Sequence, residues 1–216
     1  MHPKLKGALL GHSFARRLAT DITGMTNPPP EIAAARMEVS QIYKKFYIFG
    51  NESFTVEQLY DNVIRAGGLG LDVVAIHCGT NDLTSRECDI DALVGGLMGY
   101  TGYLVHGCGV KHVTLLGVVN RTKCREVSHA TFSDRAQKFN KKLKKAVKEV
   151  PGANFAYMKG FWRDVDGGHL PVKSWSDDGI HPSVSSRKRD KGMDKYRKNV
   201  RRCLLKGARH VDALRR

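Results

Sequence analysis

The sequence predicts an α/β protein, a three-layer sandwich around a central, mostly parallel five-stranded sheet. Three observations point there. Short apolar runs rich in Val, Ile, Leu and Phe alternate with segments of helical spacing, the pattern of strands joined by crossover helices. The chain has 216 residues and 41% hydrophobic content, enough for one substantial core. Three polar motifs, at Ser13, Gly50 and Asn81, each follow directly on an expected strand. In parallel sheets the working groups gather at the carboxyl ends of the strands.

The first strand is expected at about Leu5 to Leu10. In Phe14 to Thr23 the residues Phe14, Leu18 and Ile22 stand four apart, as on one helix face. Asn27 and the prolines 28 to 30 break that pattern and begin an excursion. A second strand is expected at Lys45 to Phe49 and a helix at Val56 to Ala66. Gly67 and Gly68 then turn the chain into a third strand, Asp72 to Cys78. Ile90 to His106 reads as a helix despite its glycines, and Val113 to Val119 as the fourth strand. A long loop follows from Asn120 to His129. Thr131 to Val150 is amphipathic, with Phe132, Ala136, Phe139, Leu143, Ala146 and Val150 inward. A short fifth strand is expected near Asn154 to Tyr157, then loop from Gly160 to His181, then a basic helix from about Lys191. The organisation expected is a domain over 1–186 and a basic C-terminal helix or tail over 187–216, packed on the domain or extending from it. No internal repeat is evident.

Composition narrows the possible partners. The net charge is +15. Residues 187 to 216 hold thirteen Lys/Arg and three Asp, so about ten of those charges lie there. A second cluster comprises Lys138, Lys141, Lys142, Lys144, Lys145 and Lys148. Both favour a polyanion, with nucleic acid the leading candidate. A solvated helix face explains the Lys138–Lys148 cluster equally well. No aromatic interleaving supports base stacking in the tail, so binding there would be backbone-directed and salt-sensitive. No apolar stretch has the length needed to cross a bilayer. The segment Met1 to Lys6 runs straight into the first strand, which leaves no room for a signal peptide and implies an intracellular location. Five scattered cysteines without C-x-x-C spacing suggest reduced thiols rather than disulfides or zinc. Cys78 reads as a buried strand residue.

Two motifs carry the chemistry. Gly11-His12-Ser13-Phe14 follows the apolar Ala8-Leu9-Leu10, and Asp178-Gly179-Ile180-His181-Pro182 stands far downstream. A serine hydroxyl is a weak nucleophile until a base takes its proton. Ser13 would be the nucleophile, His181 its base and Asp178 the group that orients the base. Each motif alone has a plainer explanation. Ser13 could cap a helix, Asn81 and Asp82 could form a turn, and His181 could be a surface histidine. A flavodoxin-type small-molecule domain is the weaker alternative, because Gly11-His12-Ser13 lacks the spacing of a phosphate-cradling loop.

With Gly79-Thr80-Asn81-Asp82 between them, the motifs resemble the four blocks of the SGNH/GDSL hydrolases, from Ser13 to about Tyr196. The resemblance implies a serine esterase or acetylhydrolase acting on short-acyl esters through an acyl-enzyme, with no metal and no cofactor. It implies an oxyanion hole made by the Ser13 and Gly50 amides and the Asn81 side chain. Gly67 or Gly68 competes with Gly50 for the glycine block. The family usually has Asp before the nucleophile; here it is His12, which changes the charge beside the serine. His12, Arg121 and Trp162 are candidate substrate-binding residues. The segment Gly192 to Arg197 is also similar to SGNH-type domains of invertebrate proteins, some similar to those of mobile elements. That likeness supports a second reading, a weak or inactive SGNH-fold module that binds nucleic acid or acts as a scaffold.

Overall fold

A computed structural model describes residues 4–50, 55–124, 126–161, 175–176, 178–183 and 192–216. Six strands form one sheet: β1 (Leu5–Gly11), β2 (Glu31–Ile32), β3 (Tyr43–Gly50), β4 (Val73–His77), β5 (His112–Leu116) and β6 (Ala153–Ala156). Their spatial order is β2-β3-β1-β4-β5-β6. Every pairing is parallel except β2 with β3. The helices are α1 (Ser13–Thr23), α2 (Tyr60–Gly67), α3 (Ile90–Gly102), α4 (His129–Ala146) and α5 (Gly192–Leu214).

Alternation along the strands builds two cores. On β1, Leu5 and Leu9 face one core while Ala8 and Leu10 face the other; on β4, Val73 and Ala75 oppose Val74 and Ile76. The first core lies under α1 and α5, the second under α2, α3 and α4. Strands buried on both faces read as continuous apolar runs, which is why β1, β3, β4 and β5 were legible.

The sixth strand is a correction to the expected five. β2 is a two-residue antiparallel edge, Glu31 opposite Tyr47 and Ile32 opposite Phe46, inside the proline-led excursion. Two residues carry no periodic signal. Pairing ends earlier than expected on β5, at Leu116. Beyond it the Asn140 side chain accepts from the Val118 amide and donates to its carbonyl, both at 2.9 Å, in place of a strand partner.

The basic α5 is a structural layer. Met193, Tyr196, Val200, Cys203, Leu204, Ala208 and Val211 are buried at helical spacing. Tyr43 donates its hydroxyl to the Leu204 carbonyl at 2.7 Å. A Cβ on Gly207 would come within 2.6 Å of Val73, so this helix lies directly against the sheet. Several of its cations are already engaged: Arg197 with Asp194 at 3.2 Å, Arg201 with Glu38 at 3.7 Å, and Arg202 on the Tyr157 carbonyl at 3.0 Å. Residues 187–191 of the expected basic tail lie outside the described residues. Among the described residues no helix is long and apolar enough to cross a membrane.

Candidate active site

Ser13, Gly50, Asn81 and Arg121 all follow or end strands β1, β3, β4 and β5 at the same edge of the sheet. Ser13 is the first residue of α1, and His12 supplies the cap, its Nδ1 accepting from the Phe14 amide. The plainer alternative for Ser13, a helix cap, is not its role: the cap lies one residue earlier, at His12. The first amides of a helix have no intrahelical acceptor. Here the Phe14 amide is taken by His12 Nδ1 and the Ala15 amide by the His12 carbonyl at 2.9 Å, which fixes the start of α1 and the Ser13 side chain on it.

The histidine turn explains how Asp178 and His181 meet. Asp178 Oδ1 accepts from the amides of Ile180 at 2.8 Å and His181 at 2.9 Å, and from the Ser176 hydroxyl at 2.6 Å. That leaves Oδ2, which lies 2.7 Å from His181 Nδ1. Gly179 sits at φ 65°, and its carbonyl accepts from the Thr122 and Lys123 amides at 2.9 and 3.1 Å. A Cβ there would meet Thr122 Oγ1 at 2.5 Å, so glycine lets the loop after β5 clamp the turn. Trp175 pairs with Pro182 across the base of the turn.

The two ends of the chain then close. His181 Nε2 lies 2.9 Å from Ser13 Oγ, across 168 residues of sequence. Asp178 accepts from Nδ1, so Nε2 is the nitrogen open to the serine proton. Burial favours loss of charge on Asp178, but bonds from Ser176, His181 and Ile180 outweigh it and hold the carboxyl well below its usual range. Burial lowers His181 below its ordinary value and Arg17 repels its charge, while the bond to Asp178 works the other way. The imidazole therefore stays neutral, as an acceptor must, at neutral pH.

A cavity of about 840 Å³ opens above this pair. Ser13, Arg17, Asn81, Arg121 and His181 line it, together with Leu93, Gly96 and Tyr100 of α3. Arg121 is 2% exposed, with its guanidinium 4.7 Å over the Phe132 ring. Asp82 is held low in the wall, its Oδ1 accepting from the Val56 amide at 3.0 Å, and burial raises its carboxyl above the usual value.

The other expected residues fall as follows. His12 is 1% exposed and lies behind Ser13 rather than on the cavity wall, so a direct substrate contact is not its place. Gly50 pairs with Gly11 across β3 and β1. A Cβ on it would strike the Arg16 amide nitrogen and reach 2.7 Å from the Ala15 carbonyl carbon, so α1 starts directly against this glycine. Gly67 ends α2 against Cys108, at the opposite edge of the sheet, and does not compete for the site. Trp162 lies outside the described residues. Cys78 is buried, and burial pushes its thiol far up.

Sequence reasoning missed Arg17 and Ser176. Arg17 lies 3.5 Å from Asp178 Oδ2 and stands one helical turn after Ser13, a spacing that could have flagged it. Ser176 precedes Asp178 by two residues, with no pattern to distinguish it from other turn serines.

The chain has the SGNH hydrolase fold. Its solved neighbours include a GDSL-like lipase from Bacteroides thetaiotaomicron, at 15% identity and TM-score 0.67, covering 93% of this chain and 88% of that one. Another is an acetylxylan esterase from Geobacillus stearothermophilus, at 15% identity and TM-score 0.66, covering 96% and 95%. Catalytic mutants of that esterase replace a serine or an aspartate with alanine. No family model and no curated protein matches the sequence.

Proposed function

We propose that the protein is a serine hydrolase of carboxylic esters that works through an acyl-enzyme. The observation that carries this reading is the 2.9 Å approach of Ser13 Oγ to an imidazole braced by Asp178. Ser13 attacks the acyl carbon as His181 Nε2 takes its proton. Asp178 remains ionised and stabilises the imidazolium. The tetrahedral oxyanion takes hydrogen bonds from the Ser13 and Gly50 amides and the Asn81 side chain; one such donor typically contributes about 3 kcal/mol. His181 then gives its proton to the leaving alcohol, and a water activated by the same nitrogen releases the acid.

The cavity supports an uncharged or cationic ester rather than an anionic one. Its wall carries the carboxyl groups of Glu57, Asp82, Glu87, Asp89 and Glu126 against the guanidinium groups of Arg17 and Arg121, in a chain of net charge +15. In this reading Arg121, its guanidinium over Phe132, binds a carbonyl or hydroxyl of the substrate. The acetylxylan esterase neighbour favours a short acyl group. p-Nitrophenyl acetate tests the reading: turnover is expected in the wild type. A wild type that leaves this ester at the background rate contradicts it.

A second reading concerns a different surface and is compatible with the first. Exposed Tyr157, beside edge strand β6, is flanked by Lys144, whose Nζ lies 5.4 Å over its ring, and by Lys138 and Lys141 of α4. An exposed aromatic ring among lysines suits a nucleic-acid strand. We infer that this face binds single-stranded nucleic acid. Affinity for an oligonucleotide should fall steeply with salt and drop when Lys138, Lys141 and Lys144 become glutamine. Binding that ignores salt, or absence of binding at low salt, contradicts it.

A further inference from the structure

Behind Ser13 lies a group of buried rings that ester hydrolysis, as described, does not use. His12 Nδ1 is 3.4 Å from the Phe14 amide nitrogen and 3.4 Å from Ser13 Oγ. The His12 ring centroid is 4.9 Å from that of His77 on β4, whose Nδ1 lies 3.1 Å from the Tyr196 hydroxyl of α5. Both histidines are essentially unexposed. The Phe14 amide can only donate. Its approach to Nδ1 makes that nitrogen the unprotonated one and places the His12 proton on Nε2.

Ser13 therefore faces two acceptors with one hydroxyl proton. The contact to His181 at 2.9 Å is shorter than that to His12 at 3.4 Å, so the resting hydroxyl points toward its base. When His181 carries a proton, its Nε2 no longer accepts. His12 Nδ1, its one lone pair shared between the Phe14 amide and the hydroxyl at 3.4 Å each, is then the nearest acceptor left among the described residues.

We propose that His12 is a positioning residue for the nucleophile: a neutral acceptor, fixed by the Phe14 amide, that holds the Ser13 hydroxyl in place and takes its hydrogen bond when His181 is protonated. This role rests on the hydrolytic reading of Ser13. The charged and titratable groups facing His12 are His77 from β4, His181 from its turn and Arg121 from the loop after β5, with Tyr196 beyond His77. Burial first, with the positive guanidinium of Arg121 acting in the same direction, keeps His12 neutral. A carboxylate at this position would instead set a negative charge beside the developing oxyanion and strengthen the hold of His181 on its proton.

Substitutions separate position from mere bulk. The amide oxygen of asparagine falls near the place of Nδ1, and that of glutamine near Nε2. His12→Asn should keep kcat for p-nitrophenyl acetate within about threefold of wild type, while His12→Gln and His12→Ala lose about tenfold or more with little change in KM. His12→Asp should move the acid limb of kcat/KM to higher pH, because it raises the pKa of the base. Gln and Ala variants as active as Asn, or an unmoved acid limb in the Asp variant, overturn the proposal. Nitrogen-15 NMR of the imidazoles gives a readout that needs no turnover. It should show His12 neutral and protonated at Nε2 near neutral pH; a charged ring or the Nδ1–H form overturns the proposal. A wild type without esterase activity refutes the hydrolytic reading, and the tautomer still decides the geometry at His12.

Discussion

Replacing Ser13 with alanine should lower kcat/KM for an acetyl ester by about ten-thousand-fold, and adding His181→Ala should cost little more. The two groups act as one unit, because the imidazole has no proton to take once the hydroxyl is gone. Their penalties therefore do not add. The single His181→Ala change should cost nearly as much as Ser13→Ala, since the hydroxyl then keeps its proton. Folding should survive the serine change. The helix cap belongs to His12, whose carbonyl accepts from the Ala15 amide at 2.9 Å, and alanine suits a first helical position. Matching denaturation midpoints alongside the collapse in rate would assign the loss to chemistry. Strictly multiplicative losses in the double variant would contradict a shared proton.

Acid should unfold the protein more steeply than its carboxylates alone explain. Burial lowers the pKa of His12 well below the ordinary value, that of His77 to about 3 and that of His112 to about 4. In each case the folded state refuses a proton that the unfolded chain accepts. Stability from these groups is complete above an unfolded pKa of about 6.5 and falls as pH drops below it. A fully buried neutral histidine contributes a slope of up to about 1.4 kcal/mol per pH unit, so His12 and His77 together give up to about 3. His112 and His181 act in the same direction. Two pH units of acidification would then remove a large share of a typical domain stability of about 5–15 kcal/mol. Urea melts between about pH 7 and 4.5 measure the slope. A stability flat across that range contradicts the buried, neutral state of these rings.

Much of the candidate site was legible because each of its residues is announced by a local pattern. Ser13 follows a buried apolar run, Asn81 follows another, and Asp178 and His181 share one turn. Those spacings survive without knowledge of the fold. What closes them, the Gly179 carbonyl gripping Thr122 and Lys123, depends on two loops 57 residues apart, and no local pattern encodes it. His12 was misplaced for a similar reason. A polar residue beside a nucleophile suggests a substrate contact, but the parallel neighbours β3 and β4 bury everything that does not point past the strand ends. Positive charge on α5 left open whether the basic helix packs on the domain or extends from it, while the apolar spacing of Tyr196, Val200, Cys203, Leu204 and Val211 on its other face marks a helix of the core. The two-residue β2 was too short to show any periodicity.

The most direct test of the account is chemical. A fluorophosphonate probe reacts with an activated serine hydroxyl without requiring the right substrate. One adduct per chain is expected, mapped by mass spectrometry to Ser13, and none in the Ser13→Ala or His181→Ala proteins. An adduct that persists unchanged in the Ser13→Ala protein, or a wild type that takes up no probe at neutral pH, would contradict it.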